Sequence, residues 1–103
     1  MKPVRIRRSR SRGWTTPKNT VYVGRPTRFG NPFKPIFSHD PQFQLEAVIR
    51  YRAWLAGELE APHSTMSRPH PDWIAQLRGK NLMCWCPLDQ PCHADVLLEL
   101  ANV

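Results

Sequence analysis

The chain has 103 residues, 41% of them hydrophobic, and a formal net charge of +7. That length allows one domain with one modest core, and that hydrophobic content excludes a wholly disordered chain. No run approaches the roughly 18 apolar residues of a membrane span, and no apolar segment of signal-peptide kind follows the basic N-terminus. Three cysteines are a poor basis for a disulfide framework. The expectation is a soluble protein of a reducing cytoplasm, whose thiols stay free or hold metal. Eleven prolines predict short elements and long loops.

The N-terminal stretch "MKPVRIRRSRSR" holds six of the fifteen basic side chains and no acidic one. The remainder of the chain is close to neutral. The composition predicts a flexible basic arm over residues 1–14 attached to a single α/β domain over 15–103. Such an arm repels itself and gains by releasing counterions from a polyphosphate, which points to nonspecific contact with DNA or RNA. A solvated tail that aids solubility is the alternative.

"NTVYVG" (19–24) is β-branched and aromatic and ends at glycine, so it predicts a buried strand. "RPTRFGNPFKPIFSHDPQ" (25–42) contains four prolines and a Gly-Asn pair and reads as a long loop, which Phe29, Phe33 and Phe37 argue is ordered. "FQLEAVIRYRAWLAGEL" (43–59) predicts the main helix, with Leu45, Val48, Ile49, Arg52 and Leu55 along its inner stripe. "EAPHSTMSRPH" (60–70) is a polar connector. "PDWIAQLRG" (71–79) predicts a short helix, with Pro71 in its first turn, Asp72 at its positive end and Gly79 as its stop. "KNLMCWC" (80–86) reads as a second strand. "PCHADVLLELANV" (91–103) reads as a last helix with Ala94, Leu97, Leu98 and Ala101 inward.

The order strand, helix, helix, strand, helix predicts a small α/β domain with the two strands parallel and adjacent. Ligands bind beyond the carboxyl ends of parallel strands. The first strand runs into "GRPTRFGNPF" and the second into "CWCPLDQPCH", so both unusual loops are expected at one sheet edge.

All three cysteines, Cys84, Cys86 and Cys92, fall within nine positions, with His93 next to the last. On a strand, Cys84 and Cys86 share a face while Trp85 turns to the other. Cys92 stands at a helix start, where unpaired amides favour a thiolate. Three thiolates and one imidazole are a tetrahedral zinc donor set, so Cys84, Cys86, Cys92 and His93 are the candidate metal ligands and zinc the candidate cofactor. Adjacent Cys and His side chains diverge on a helix, which leaves His93 open as a catalytic or supporting group instead. The competing reading is three small buried hydrophobes.

The segments "NTVYVGRPTRFGNPF" and "LRGKNLMCWCPLDQPCHADVLLELAN" resemble the domain of unknown function 4326 family, small proteins of phages and bacteria. The likeness lies in Gly24, Arg25, Thr27, Gly30, Asn31, Pro32 and Phe33, then in Cys84, Cys86, Cys92 and His93. The resemblance implies a phage or prophage setting and implies no reaction.

In the loop, Gly24 and Gly30 permit close backbone approach. Arg25 and Arg28 offer anion contacts, and Thr27 and Asn31 offer hydrogen bonds, so these four are the candidate ligand-binding residues. Neither standard nucleotide motif is present. The alternative is a rigid turn shaped by Asn31-Pro32. His39, His63 and His70 read as solvent-facing. Three functions are compatible with these features. One is a metal-stapled module binding nucleic acid or a nucleotide. Another is a small nucleotide-modifying enzyme, with Cys92 as nucleophile or a metal-bound water, and His93 as acid/base. The third is a phage accessory protein aimed at a host protein.

Overall fold

The computed structural model describes residues 2–33, 40–62 and 67–103. Among them are strands β1 (Arg5–Arg7), β2 (Thr20–Tyr22) and β3 (Asn81–Cys84), and helices α1 (Pro41–Leu55), α2 (Pro71–Ala75) and α3 (His93–Ala101). The strands form one sheet in the order β1-β3-β2, and both pairings are parallel. The two strands expected from the sequence are thus parallel neighbours, and a third joins them on the other side of β3. The central place falls to the most apolar strand: Leu82, Met83 and Cys84 are all buried, as a strand flanked on both edges requires.

The third strand corrects the expectation for the N-terminus. Residues 1–14 were expected as a flexible arm, yet Arg5, Ile6 and Arg7 pair with Leu82, Met83 and Cys84. Val4 continues the ladder by donating to Asn81 Oδ1, and Arg8 by donating to the Cys84 carbonyl at 2.7 Å. The cause is visible in "PVRIR". Val4 and Ile6 supply strand-forming side chains between the charges, and arginines on an edge strand block pairing with other chains.

α1 begins where Asp40 accepts from the Gln42 amide at 2.9 Å, with Pro41 in its first turn. Its inner face differs from the expected stripe. Leu45 and Ile49 are 48% and 58% exposed, whereas Ala47, Tyr51 and Trp54 are buried. The two aromatics carry more apolar area than the aliphatics they displace. Tyr51 also donates its hydroxyl to the Phe29 carbonyl at 2.7 Å, which holds the loop after β2 against the helix.

α2 starts at His70, which is exposed as expected and whose Nδ1 accepts from the Asp72 amide. Gly79 stops the next turn with φ +77°, a conformation that favours glycine. α3 buries Ala94, Val96, Leu97 and Ala101. It packs on β1 and β3, and α1 and α2 pack on it. The helices therefore form one layer, and no described helix covers the opposite face of the sheet. None is long and apolar enough to cross a membrane. Phe37, His39 and His63 lie outside the described residues.

Residues 4–8 should behave as part of the fold. Deleting residues 1–8 is expected to remove a large part of the ~5–15 kcal/mol that stabilises a domain of this size. Urea unfolding monitored by circular dichroism checks this. A deletion that leaves the midpoint unchanged would return the stretch to the status of a tail.

Candidate metal centre and adjoining cleft

β3 ends at Cys84, and the chain bends at Trp85 and Cys86, turns through Pro87–Gln90, and re-enters helix at Cys92. This return folds the three thiols together: every sulfur lies within 4.8 Å of the other two. Cys84 Sγ and Cys92 Sγ are 2.8 Å apart, and all three cysteines are free thiols. Cys84 and Cys92 are buried, while Cys86 is half-buried.

The return is held by a residue that sequence reasoning missed. Arg5 in β1 keeps only 8% of its side chain exposed. One guanidinium nitrogen, Nη2, donates to the carbonyls of Pro87, Leu88 and Gln90 at 3.2, 2.8 and 2.8 Å. Its other nitrogen, Nη1, is 3.5 Å from the Asp95 carboxylate and makes no hydrogen bond. Burial works against its charge, but Asp95 and then the neighbouring thiols Cys92 and Cys84 outweigh that and hold it above its ordinary value. Asp95 in turn accepts from the Cys92 amide at 3.2 Å, closing the first turn of α3. The only sequence signal for Arg5 is its place between Val4 and Ile6.

Electrostatics differ among the thiols. Cys86 is pushed well below the usual thiol range, first by hydrogen bonds from Cys84 and Cys92, then by the charges of Arg5 and Arg25. Cys84 is pushed up, because it donates in that arrangement and is buried beside a negative charge. Negative charge is thus favoured on Cys86 over Cys84. Burial, helped by Cys92, also raises the Tyr51 hydroxyl, which keeps it a donor to Phe29.

His93 is buried and fixed in one tautomer. Its Nε2–H donates to the Val23 carbonyl at 2.7 Å, which turns Nδ1 toward Cys92 Sγ at 3.6 Å. The ring packs edge-on against Tyr51 with centroids 5.2 Å apart. His93 is nevertheless outside the group of atoms lying within 4.8 Å of one another.

A cleft of about 170 Å³ opens beside the thiols, bounded by Tyr22, Arg25, Asn31, Trp85, Cys86 and His93 among others. The loop after β2 and the cysteine return do meet at one sheet edge. The four loop candidates separate there. Arg25 is exposed at the cleft rim. Asn31 also lines it, but its Nδ2 donates to the Ala47 carbonyl and its Oδ1 accepts from the Phe33 amide, so it ties the loop to α1. Thr27 spends its hydroxyl on the Gly24 carbonyl at 2.6 Å. Arg28 lies over the Trp73 ring at 4.3 Å. Neither Thr27 nor Arg28 lines the cleft.

The glycines have internal reasons. A Cβ at Gly24 would stand 2.4 Å from the Tyr22 hydroxyl, and one at Gly30 would stand 2.9 Å from Arg25 Cγ. The loop closes on its own side chains, and that closure puts Arg25 at the rim.

Fold and site together define a small parallel α/β domain built around a buried thiol cluster. The chain belongs to the family Domain of unknown function (DUF4326), whose profile matches residues 6–103 and so takes in most of β1. No curated protein and no solved structure matches it.

The thiolate assignment has a direct chemical consequence. In chelator-treated protein at pH 6, iodoacetamide should label Cys86 first and leave Cys84 and Cys92 protected, because the thiolate is the nucleophile. Peptide mapping by mass spectrometry reads the sites. Equal labelling of all three at the rate of the unfolded chain would contradict the assignment.

Proposed function

We propose that this chain is a metal-stapled binding module, in which Cys84, Cys86 and Cys92 hold a zinc ion and the cleft beside them takes the anionic end of a nucleotide-like ligand. The observation that carries the reading is the approach of three free thiols within 4.8 Å of one another. Two thiolates on one zinc stand roughly 3.8 Å apart, given bonds of about 2.3 Å at a tetrahedral angle. The 2.8 Å between Cys84 and Cys92 therefore opens by about 1 Å on loading, with Cys86 moving inward.

Charge supports the same reading. Three thiolates around a divalent cation leave one negative charge, and the buried Arg5 guanidinium, with its unbonded Nη1, is the matching positive one. His93 is the proposed fourth ligand. Its Nδ1 is 3.6 Å from Cys92 Sγ, close to the ~3.6 Å separating a nitrogen and a sulfur on one zinc. A backbone carbonyl already takes its other ring nitrogen, the arrangement that metal-bound imidazoles use. A metal closed by four protein ligands is a structural staple, fixing the return between β3 and α3.

The ligand reading rests on Arg25 and on size. Ligand pockets that enclose a whole small molecule span about 300–1,000 Å³. The cleft, at about 170 Å³, suits a phosphate or one edge of a base. The thiol-enzyme reading is weaker. Cys92 lies at the floor of the cleft but has 0% exposure, and its alignment with His93 serves a ligand set better than a nucleophile.

Elemental analysis of untagged protein prepared without chelator should give close to one zinc per chain. Cys86→Ser should lose the metal and lower the unfolding midpoint. Metal-free protein that folds as stably, with three freely titrating thiols, would overturn the metal reading. Arg25→Ala should weaken binding of a nucleoside monophosphate, by calorimetry, by roughly ten-fold or more, the scale of one charged hydrogen bond. Its metal content and unfolding midpoint should stay unchanged.

A further inference from the structure

The face of the sheet that no described helix covers carries a second, separate arrangement. The pairing register sets Ile6, Met83 and Tyr22 in one row across the three strands. Side chains alternate along a strand, so the next row on that face falls at Arg8 and Trp85. There the guanidinium of Arg8 lies 5.2 Å from the Trp85 ring centre and 4.8 Å from that of Tyr22. Arg10 lies 4.7 Å from the same Trp85 ring. Trp85 stays 38% exposed. A groove of about 450 Å³ runs along Arg7, Arg8, Ser9, Arg10 and Trp85.

Two features of this groove call for a partner. Its charge is unbalanced: residues 2–12 contain no carboxylate. The ion pairs found among the described residues join Arg5 to Asp95, Arg52 to Glu99 and His70 to Asp72, and none reaches Arg7, Arg8 or Arg10. Its shape is also specific. Two like charges are held against one indole, and the aromatic faces of Trp85 and Tyr22 are interleaved with them.

We infer that this face binds single-stranded nucleic acid, with Arg8 and Arg10 on successive phosphates and bases stacked on Trp85 and Tyr22. Phosphodiesters complement the charge, and unpaired bases complement the rings. A duplex offers only the first, since its bases are already stacked. An acidic peptide or an anionic bilayer likewise matches the charge and leaves the aromatic spacing without purpose. RNA and DNA strands share the chemistry used here. The inference does not rest on the metal centre, and Trp85 borders both grooves, so a bound strand passes the Arg25 cleft.

The test uses the full chain and fluorescence anisotropy of labelled oligothymidylate, oligouridylate and a duplex of equal length. Both single strands should bind more tightly than the duplex. Two phosphate contacts predict a slope of log K against log salt of about −1.4 for a single strand. Arg8→Ala with Arg10→Ala should remove most of that slope. Trp85→Ala should weaken single-strand binding by roughly ten-fold while Trp85→Phe retains most of it. Arg8 and Arg10 are not among the buried residues, and Trp85, although it adjoins the thiols, turns its ring to the opposite face; zinc content and unfolding midpoint measured on each variant separate this result from any failure of the metal reading. No single-strand binding at low salt overturns the inference. So does equal binding of strand and duplex with no effect of Trp85→Ala, which would mean charge alone, and so does binding only to phosphatidylserine vesicles.

Discussion

A buried guanidinium is the constraint on which this architecture turns. Arg5 sits in an edge strand, yet its head is inside the protein, spread over three carbonyls of the turn that carries the cysteines. Removing an arginine from water is costly, and the interior must repay the cost with well-placed acceptors and a countercharge. Here the acceptors are the Pro87–Gln90 backbone, and the countercharge comes from Asp95 together with the thiol cluster. Each part depends on the others. Without Arg5 the Leu88 and Gln90 carbonyls lose their donor, and without anionic sulfur the guanidinium has only a half-exposed carboxylate.

The same coupling explains the rigidity of the cleft. His93 is held by the Val23 carbonyl, Tyr51 by the Phe29 carbonyl, and Asn31 by the Ala47 carbonyl. Three side chains from two helices and a loop thus fasten the segment after β2 to the helical layer. Buried polar groups that are fully bonded specify one arrangement, since any slip leaves a partner unsatisfied. Arg25 stands exposed at the rim of that wall.

Much of this is legible in the sequence, for local reasons. The strands at 19–24 and 80–86 carry clear apolar runs, so their parallel pairing and the meeting of their two loops can be argued from pattern alone. The thiol cluster is visible as spacing. The features that escape are nonlocal. Six positive charges in twelve residues outweigh the strand signal of Val4 and Ile6, and nothing local shows that Arg5 finds three carbonyls more than eighty residues away. The inner face of α1 departs from its pattern for a related reason: Leu45 and Ile49 fit helical spacing, but the side of the helix that meets α3 and the loop is chosen by Tyr51 and Trp54. Thr27 and Arg28 are polar groups whose partners, the Gly24 carbonyl and Trp73, lie within the domain itself.

The strand order has a consequence in time. β3 lies between β1 and β2, although it comes after both in the chain, and the ladder joins residues as far apart as Val4 and Asn81. Neither flanking strand has a partner until the last quarter of the polypeptide arrives and inserts. Contacts of such long range close slowly, because chain entropy is lost before they form. Insertion of β3 is also the event that gathers the thiols. Until then Cys84, Cys86 and Cys92 are separate and open to solvent, and afterwards two of them are sealed. The sheet therefore times its own sulfur chemistry: the donor set exists only once β3 is in place, and afterwards it is reached through the cleft beside Cys86.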